Sequence, residues 1–394
     1  MPRDNPVALF ARTNFRGENT TFGIKQSDRR AHIYVIGKTG TGKSTLLERL
    51  IDHDVRSGQG LALIDPHGDL VERVRAGIPS ERIADLIYFD VSDRGVPLAF
   101  NPLEVRVGHE RALIASGLVD VFKKIWADSW GPRMEHVLRN ALLTLLDQPE
   151  ATLPGILRLL DDYAFRRAAL ERVQNAQVRN FWLREFAQYP ERFRAEVIAP
   201  IQNKVGAFLA DPVLQKILTQ PKSSFDLREV MDQGKILLVN LAKGQIGGDT
   251  SALVGALLVS SIGLAGVGRA AVPESERRDF NLYIDEFHTV TTLSLAGMLS
   301  ELRKYRVNMV LAHQYLTQLE LPIRDAILGN VGTMISFRLG LADAEILGKE
   351  LAPVFSPHDL MSLPNYHIYL KLMIDGVVSR PFSAETLPPS NFPM

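Results

Sequence analysis

One segment near the amino terminus limits the fold more than any other. Its sequence, GKTGTGKS at 37–44, matches the phosphate-binding pattern G-x-x-x-x-G-K-S/T. The preceding residues 32–36 are apolar and β-branched, which predicts a buried strand, and residues 45–51 have helical periodicity. Strand, glycine loop and helix in this order form the context in which the pattern binds phosphate. The alternative interpretation is a plain glycine turn that opens a helix.

The phosphate-binding pattern predicts a role for each of its polar residues. Backbone N–H groups and the amino terminus of the following helix converge on a β-phosphate. We expect Lys43 to reach the β- and γ-phosphates and Ser44 to hold Mg²⁺. The chain is therefore predicted to bind a nucleoside triphosphate through Gly37, Lys38, Thr39, Gly40, Thr41, Gly42, Lys43, Ser44 and Thr45.

Composition narrows the class of protein. The chain has 394 residues, 46% of them apolar, which is enough for two or three domains with large cores. It has no cysteine, which excludes disulfides and thiolate metal sites. Its formal net charge is zero, so no global basic field indicates nucleic-acid binding, although charge can be concentrated in a pore or a loop.

No segment is predicted to be integral to a membrane. The first residues lack the apolar region of a signal peptide. Residues 252–268 form an uncharged apolar run, long enough for a short span, but they are rich in Gly, Ala and Ser and lie between two predicted strands. A buried helix of an α/β core explains this run better. We expect a cytoplasmic protein, with peripheral attachment at the inner membrane as the alternative.

The chain alternates between two patterns. Short buried strands are predicted at 61–65, 86–90, 235–240, 280–286, 307–312 and 333–337, and a hairpin at 368–382 around Asp375-Gly376. Residues 106–230 read as helices, with breaks at the prolines 154, 190, 200, 212 and 221. We therefore predict an α/β fold with a mostly parallel sheet and an all-α insertion. The expected divisions are an N-terminal segment 1–30, a discontinuous core 31–105 and 231–386, an insertion 106–230 and a tail 387–394.

Two acids follow one of the buried strands. Asp285 and Glu286 come after an apolar run, which places them at the carboxyl end of a strand, where phosphate-loop sites are built. We expect Asp285 to bind the Mg²⁺ shell and Glu286 to activate the attacking water. The alternative is a strand-end cap. Asp65 competes for the metal role, but its Asp-Pro-His-Gly context indicates a turn that faces the nucleotide.

A glutamine and two arginines complete the candidate catalytic set. Gln314 follows the 307–312 strand and is predicted to sense the γ-phosphate, or else to cap the next helix. A helix near 293–305 turns its apolar stripe inward, which leaves Arg303 pointing outward, towards a neighbouring subunit. Arg338 ends a later strand and is the other candidate for a catalytic arginine finger. Either arginine can instead be a solvated surface residue.

Five separated motifs resemble the HerA–FtsK superfamily of ATPases, and the similarity is closest to TraG/TraD-like conjugative coupling ATPases of type IV secretion. The motifs, in order, are Gly37–Ser44, Ile64–Asp69, Tyr283–Phe287, Leu311–Gln314 and Gly329–Thr333. The resemblance covers about residues 25–385, including the about 240 residues between the phosphate loop and the acids, which match the family's all-α domain. Membrane-anchored members carry N-terminal transmembrane helices, which are not expected here.

The resemblance implies a RecA-like P-loop core that uses ATP and Mg²⁺, a homo-hexameric ring, and DNA as the translocated partner. It places Arg303 where coupling ATPases carry an arginine that acts in trans. Lys243, in the glycine-rich segment 243–248, is then a candidate DNA contact, with a plain turn as the alternative. A second hypothesis is a nucleotide-dependent assembly or coupling ATPase that engages a protein instead of DNA. Secretion-channel, nuclease and relaxase-type proteins are the partners considered.

Overall fold

One large sheet organises the residues that the computed structural model describes, which are 5–15, 17–95, 97–106 and 110–388. Within these residues the sheet has eleven strands in the order β2-β1-β13-β10-β9-β3-β8-β7-β4-β6-β5, and β11 pairs separately with β12. The strands are β1 Val7–Thr13, β2 Thr21–Lys25, β3 Ile33–Ile36, β4 Gly60–Asp65, β5 Leu86–Asp90, β6 Ile236–Asn240, β7 Phe280–Ile284, β8 Val307–His313, β9 Thr333–Ser336, β10 His367–Lys371, β11 Met373–Ile374, β12 Val377–Val378 and β13 Phe382–Thr386.

The sheet has a parallel part and an antiparallel part. From β9 through β3, β8, β7, β4 and β6 to β5, every neighbouring pair is parallel. On the other side of β9, the strands β10, β13, β1 and β2 are added antiparallel. The predicted α/β fold with a mostly parallel sheet is confirmed. Strands β1 and β2 were not predicted: residues 5–30 contribute directly to the sheet, because β1 pairs with β13.

Helices cover both faces of the sheet. They are α1 Gln26–Arg29, α2 Lys43–Arg56, α3 Asp69–Ala76, α4 Arg111–Ile125, α5 Pro132–Leu146, α6 Gly155–Asp161, α7 Tyr163–Leu170, α8 Ala176–Asn180, α9 Glu191–Ala210, α10 Pro212–Leu218, α11 Leu227–Gln233, α12 Lys243–Ile246, α13 Gly248–Gly268, α14 Leu293–Leu302, α15 Leu321–Asn330, α16 Leu341–Leu351 and α17 Pro357–Ser362. Every helix from α4 to α11 lies between β5 and β6, and all but the last three residues of α11 fall within the region 106–230 that was predicted to be helical.

The two faces bury separate cores, because side chains alternate along each strand. In β3, Ile33 and Val35 join the core beneath α2 and α3. Tyr34 and Ile36 face the opposite side, where the apolar residues of α13 and α14 join those of α4–α10 in one buried cluster. The helical region therefore shares its core with one face of the sheet.

The apolar run predicted to be a core helix is α13. Among the described residues, Gly248–Ala271 is the one helix long and apolar enough to cross a membrane, and 72% of its apolar window is buried inside the protein. Its small residues allow close packing: a Cβ on Gly117 of α4 would lie 2.6 Å from Ser260 Oγ of α13, and one on Gly263 would lie 2.2 Å from Met298 Sδ. Tight contact with α4 and α14 explains why the run is both apolar and small.

Three local predictions have different outcomes. The hairpin around Asp375-Gly376 is confirmed: β11 pairs with β12 directly across that turn, and both turn residues have positive φ, as a two-residue turn requires. The longer strands β10 and β13 pair with each other beyond it. Pro200 does not break a helix but lies inside α9, whose buried face packs regardless. The segment 243–248, expected to be an open loop, makes one helical turn at α12 and breaks at Gly247, whose φ is 88°.

Candidate active site

The candidate site lies at the carboxyl edge of the parallel strands. Ile36 at the end of β3 is level with His313 of β8, and Ile284 of β7 is level with Leu311. The segments that follow these strands therefore meet at one edge, which is where α/β sheets bind ligands. They surround a cavity of about 330 Å³, whose wall includes the phosphate loop, the turn after β4, the two acids and Gln314.

The phosphate loop needs glycine at its two inner positions. Gly40 and Gly42 have φ of 75° and 120°, which L side chains rarely adopt. At Gly42, a Cβ would also lie 2.9 Å from Tyr366 Cδ1 and 3.0 Å from Phe337 Cε1. Gly42 caps the amino end of α2, so free backbone N–H groups of the helix point at the cavity. The loop fits a bound phosphate chain.

Lys43 lies at the floor of this cavity. Its Nζ donates hydrogen bonds to the carbonyls of Gly37, at 2.7 Å, and Lys38, at 3.2 Å. Burial lowers the pKa of the ammonium, and the negative charges of Asp285 and Glu286 oppose that shift. The Lys43 ammonium therefore lies between the phosphate loop and the two acids. There it can offset the negative charge of a bound phosphate and of the two carboxylates.

A bridge of polar side chains connects the loop to the second acid. Gln314 Nε2 donates to Glu286 Oε1 at 2.6 Å, and Thr39 Oγ1 donates to Gln314 Oε1 at 2.8 Å. Glu286 is buried and has a left-handed backbone, with φ of 44°. Such a conformation is unfavourable for a residue with a Cβ and is concentrated at functional sites. The bridge holds the Glu286 carboxylate towards the cavity.

The two candidate metal acids differ in their surroundings. Burial, together with the charges of Asp65 and Glu286, raises the pKa of Asp285 to about 6. Asp65 instead accepts hydrogen bonds from the backbone N–H groups of His67, Leu70 and Val71 at the start of α3. Asp65 is therefore committed to the turn that the sequence predicted, and Asp285 is the carboxylate with capacity for a cation.

The residues at this edge suit Mg²⁺. No group of three or more His, Cys, Asp or Glu side chains that could form a metal cage exists in the described part of the chain. Mg²⁺ in nucleotide sites takes one or two protein ligands and fills its octahedron with phosphate oxygens and water. Ser44 and Asp285 both line the cavity and satisfy that requirement.

The two candidate arginines lie at opposite edges of the sheet. Arg303 follows α14, whose stripe Leu295, Leu299 and Leu302 is buried as predicted, and it is exposed. It precedes β8, whereas Gln314 follows this seven-residue strand, so about 20 Å separates them. Arg303 therefore cannot reach the nucleotide cavity of its own chain.

Arg338 lies beside the phosphate loop. Its carbonyl accepts a hydrogen bond from Lys38 N at 2.9 Å. Its guanidinium donates to Leu363 O at 3.2 Å and to Asn365 Oδ1 at 2.9 Å. Both donor groups are directed at the loop 363–365, and Arg338 is not among the side chains that line the cavity.

Lys243 is the first residue of α12 and lies three residues after the carboxyl end of β6, which is the strand next to β4. It is exposed, and its backbone N–H donates to Pro66 O at 2.9 Å. Burial lowers the pKa of His288, the charge of Glu286 opposes that shift, and the charges of Lys124 and Lys243 add to it. Lys243 does not line the cavity. The lysine is close to the nucleotide edge, and its side chain faces solvent.

Tyr366 lines the cavity and was not singled out from the sequence. It precedes β10, which runs antiparallel to β9, so the amino end of β10 reaches the same edge as the carboxyl ends of the parallel strands. The preceding Pro364-Asn365 pair signals a turn. Nothing local reveals which edge of the sheet this turn reaches.

One comparison with known proteins identifies a family. Residues 18–345 match the family model described as the type IV secretion-system coupling protein DNA-binding domain. A search of curated proteins found no match.

Solved structures share the fold. The plasmid coupling protein TrwB in complex with ADP and Mg²⁺ superposes with a TM-score of 0.69 at 16% identity, covering 99% of this chain and 97% of that one. An unbound form of TrwBdeltaN70 gives 0.67 at 16% identity, with 97% and 89% covered. VirB4 of Thermoanaerobacter pseudethanolicus gives 0.64 at 11% identity, with 99% and 98% covered. The fold is therefore that of a P-loop ATPase with a RecA-like core.

Proposed function

The chain belongs to the type IV secretion-system coupling protein DNA-binding domain family, and from that premise we propose that it is an ATP-hydrolysing ring motor that translocates DNA through a central channel. One observation carries the proposal: Lys43, Asp285, Glu286 and Gln314 converge on one cavity at the carboxyl edge of the sheet. Phosphoryl transfer needs a cation that binds the phosphates, a carboxylate that binds the metal ion and a second carboxylate that activates water. Lys43, Asp285 and Glu286 are the residues that can supply them. We propose a cytoplasmic location for the motor, with peripheral attachment at the inner membrane as the alternative.

The proposed chemistry divides the work among these residues. The backbone of the phosphate loop and Lys43 bind the triphosphate of ATP, and Ser44 and Asp285 would hold Mg²⁺. Bound Mg²⁺ would neutralise charge on the β- and γ-phosphate oxygens. Glu286 accepts the proton of the attacking water, and Gln314 keeps its carboxylate in place through the 2.6 Å hydrogen bond. TrwB, which shares the fold, has been solved with ADP and Mg²⁺ and with non-hydrolysable analogues of ATP and GTP.

The proposal includes a homo-hexameric ring. The exposed Arg303 lies at the opposite edge of the sheet from its own cavity, which supports a role at the site of a neighbouring subunit. An arginine supplied in trans stabilises transition-state charge in many nucleotide hydrolases. Arg338 is the alternative finger, although its guanidinium already donates to the loop beside it.

DNA is the proposed cargo, and a dependence of the ATPase on DNA tests this directly. We expect double- or single-stranded DNA to raise the hydrolysis rate of the purified protein, and binding to weaken by orders of magnitude between about 50 and 200 mM salt, because phosphate contacts release counterions. The measurement is the steady-state rate with each DNA and without DNA, with Lys43→Ala as the control for contaminating ATPases. DNA that neither binds nor stimulates would favour the coupling ATPase that engages a secretion-channel, nuclease or relaxase-type protein.

Lys243 is proposed to contact DNA phosphate. We expect Lys243→Ala to weaken DNA binding and to flatten its salt dependence by about one unit of slope for each subunit engaged, with basal ATPase retained. Fluorescence anisotropy of labelled DNA over a salt series measures this. Lys349→Ala, which removes an exposed lysine from α16, is the charge-matched control. Loss of basal hydrolysis with normal DNA affinity would assign Lys243 to the nucleotide instead.

A further inference from the structure

An aromatic ring stands on the wall of the nucleotide cavity without an assigned role. Tyr366 lines the cavity, and 48% of its surface is exposed. Its ring approaches the phosphate loop so closely that a Cβ on Gly42 would lie 2.9 Å from Cδ1 and 3.4 Å from Cε1. The exposed part of this ring therefore lies on the cavity wall, next to the phosphate loop.

The backbone holds this ring in a fixed place. The N–H of Tyr366 donates to Thr41 O at 2.8 Å, inside the phosphate loop. Its carbonyl accepts hydrogen bonds from Thr386 N, at 2.8 Å, and Thr386 Oγ1, at 3.1 Å. Its φ is 66°, a left-handed conformation that is unfavourable for a bulky residue and persists only where the surroundings impose it.

Arg338 adds a second connection between the loop and the ring. It binds Lys38 N through its carbonyl and Asn365 through its guanidinium. The segment before Tyr366 is thus tied to the start of the phosphate loop, while Tyr366 itself is tied to the middle of that loop. The backbone around Tyr366 is therefore connected to the phosphate loop at two points.

The direction of the nucleotide follows from the order of the strands. Glu286 and Gln314 follow β7 and β8, on one side of the phosphate-loop strand β3, and Tyr366 precedes β10, on the other side beyond β9. The γ-phosphate points to the acid that activates water, so the nucleoside extends the opposite way. That direction leads to the exposed ring.

We propose that Tyr366 is the stacking platform for the base of the bound nucleotide and gives the site a preference for purines. This inference rests on the proposed nucleotide site. Aromatic side chains stack on the faces of bases, and the attraction depends on the stacked area more than on hydrogen-bonding groups. Tyr366 therefore favours the larger purine rings over pyrimidines and does not distinguish adenine from guanine.

The test removes the ring while keeping the backbone. Asparagine tolerates the left-handed conformation, so Tyr366→Asn deletes the ring without added strain, and Tyr366→Phe retains it. We expect Tyr366→Asn to bind ATP and GTP about tenfold more weakly, in line with the usual size of base stacking, and Tyr366→Phe to bind them like the unmodified protein. Isothermal titration with the Mg²⁺ complexes of ATP, GTP, CTP and inorganic tripolyphosphate measures each affinity.

Tripolyphosphate separates this inference from the nucleotide site itself. It has no base, so its affinity should be the same in the unmodified protein and in Tyr366→Asn. Equal losses for ATP and tripolyphosphate would show that Tyr366 only supports the phosphate loop, and an unmodified protein that binds CTP as tightly as ATP would also overturn the proposal. If the unmodified protein binds neither tripolyphosphate nor ATP, the proposed function fails instead. Tyr163→Asn, at an exposed tyrosine of α7, is the control.

Discussion

Replacing Glu286 with glutamine is expected to leave ATP and Mg²⁺ binding intact and to lower the hydrolysis rate by about 10²–10⁴-fold, the usual contribution of a general base. Glutamine has the same shape, and its amide oxygen can still accept the hydrogen bond from Gln314 Nε2. The substitution therefore removes the base and little else. Single-turnover hydrolysis and nucleotide titration on the same protein measure the two effects separately.

Lys43→Ala should give the complementary result. Removal of a charged hydrogen-bond donor to phosphate should weaken ATP binding by about 10- to 100-fold.

The matched control for Glu286→Gln is Glu345→Gln, which neutralises a carboxylate at an exposed position of α16. Normal turnover in the Glu286→Gln protein would remove Glu286 from the catalytic set, and tight binding by Lys43→Ala would contradict the phosphate site.

Arg303→Ala is expected to lower hydrolysis by about 10³-fold or more when the protein is assembled, because a trans arginine contributes about 10³–10⁵ in rate. Mixing Arg303→Ala with Glu286→Gln should restore part of the activity. In a randomly mixed ring about one interface in four combines an intact Glu286 with an intact Arg303 from the neighbour, so roughly a quarter of normal turnover is the upper bound. The measurement is the steady-state ATPase rate across mixing ratios at constant total protein.

The neighbouring Lys304 supplies the matched control. It is an exposed cation of the same turn, so Lys304→Ala tests whether any loss of charge there lowers activity. Size-exclusion chromatography must show that rings still form. If rings form and every mixture has only the sum of the two inactive rates, Arg303 has no role in trans, and Arg338 becomes the residue to test.

Local sequence was sufficient for the centre of the site. The phosphate loop, the acids after β7 and the glutamine after β8 each depend on a strand and the few residues that follow it, and parallel strands bring such segments to one edge. The turn after Asp65 was also predicted from local sequence, because Asp-Pro-His-Gly is typical of a turn. In the structure, Asp65 caps that turn with three backbone hydrogen bonds.

Local sequence patterns could not predict which distant segments pair in the sheet. Strands β1 and β2 were not predicted, because their place depends on β13, near the other end of the described chain. Pro200 was expected to end a helix, but packing of the buried face of α9 outweighs the hydrogen bond that proline removes. Tyr366 reaches the cavity only because β10 runs antiparallel to its neighbour β9.

Spacing within one strand, loop and helix was thus enough to predict most of the polar groups that line the cavity. Which of the remaining residues lie close enough to the cavity to contact a nucleotide depends on the tertiary structure. It separates Arg303 from its own cavity by the length of β8, and it brings Tyr366 against Gly42. The physical reason is that strand direction and strand order, which arise from burying two faces of one sheet, set these distances and have no signature in any short stretch of residues.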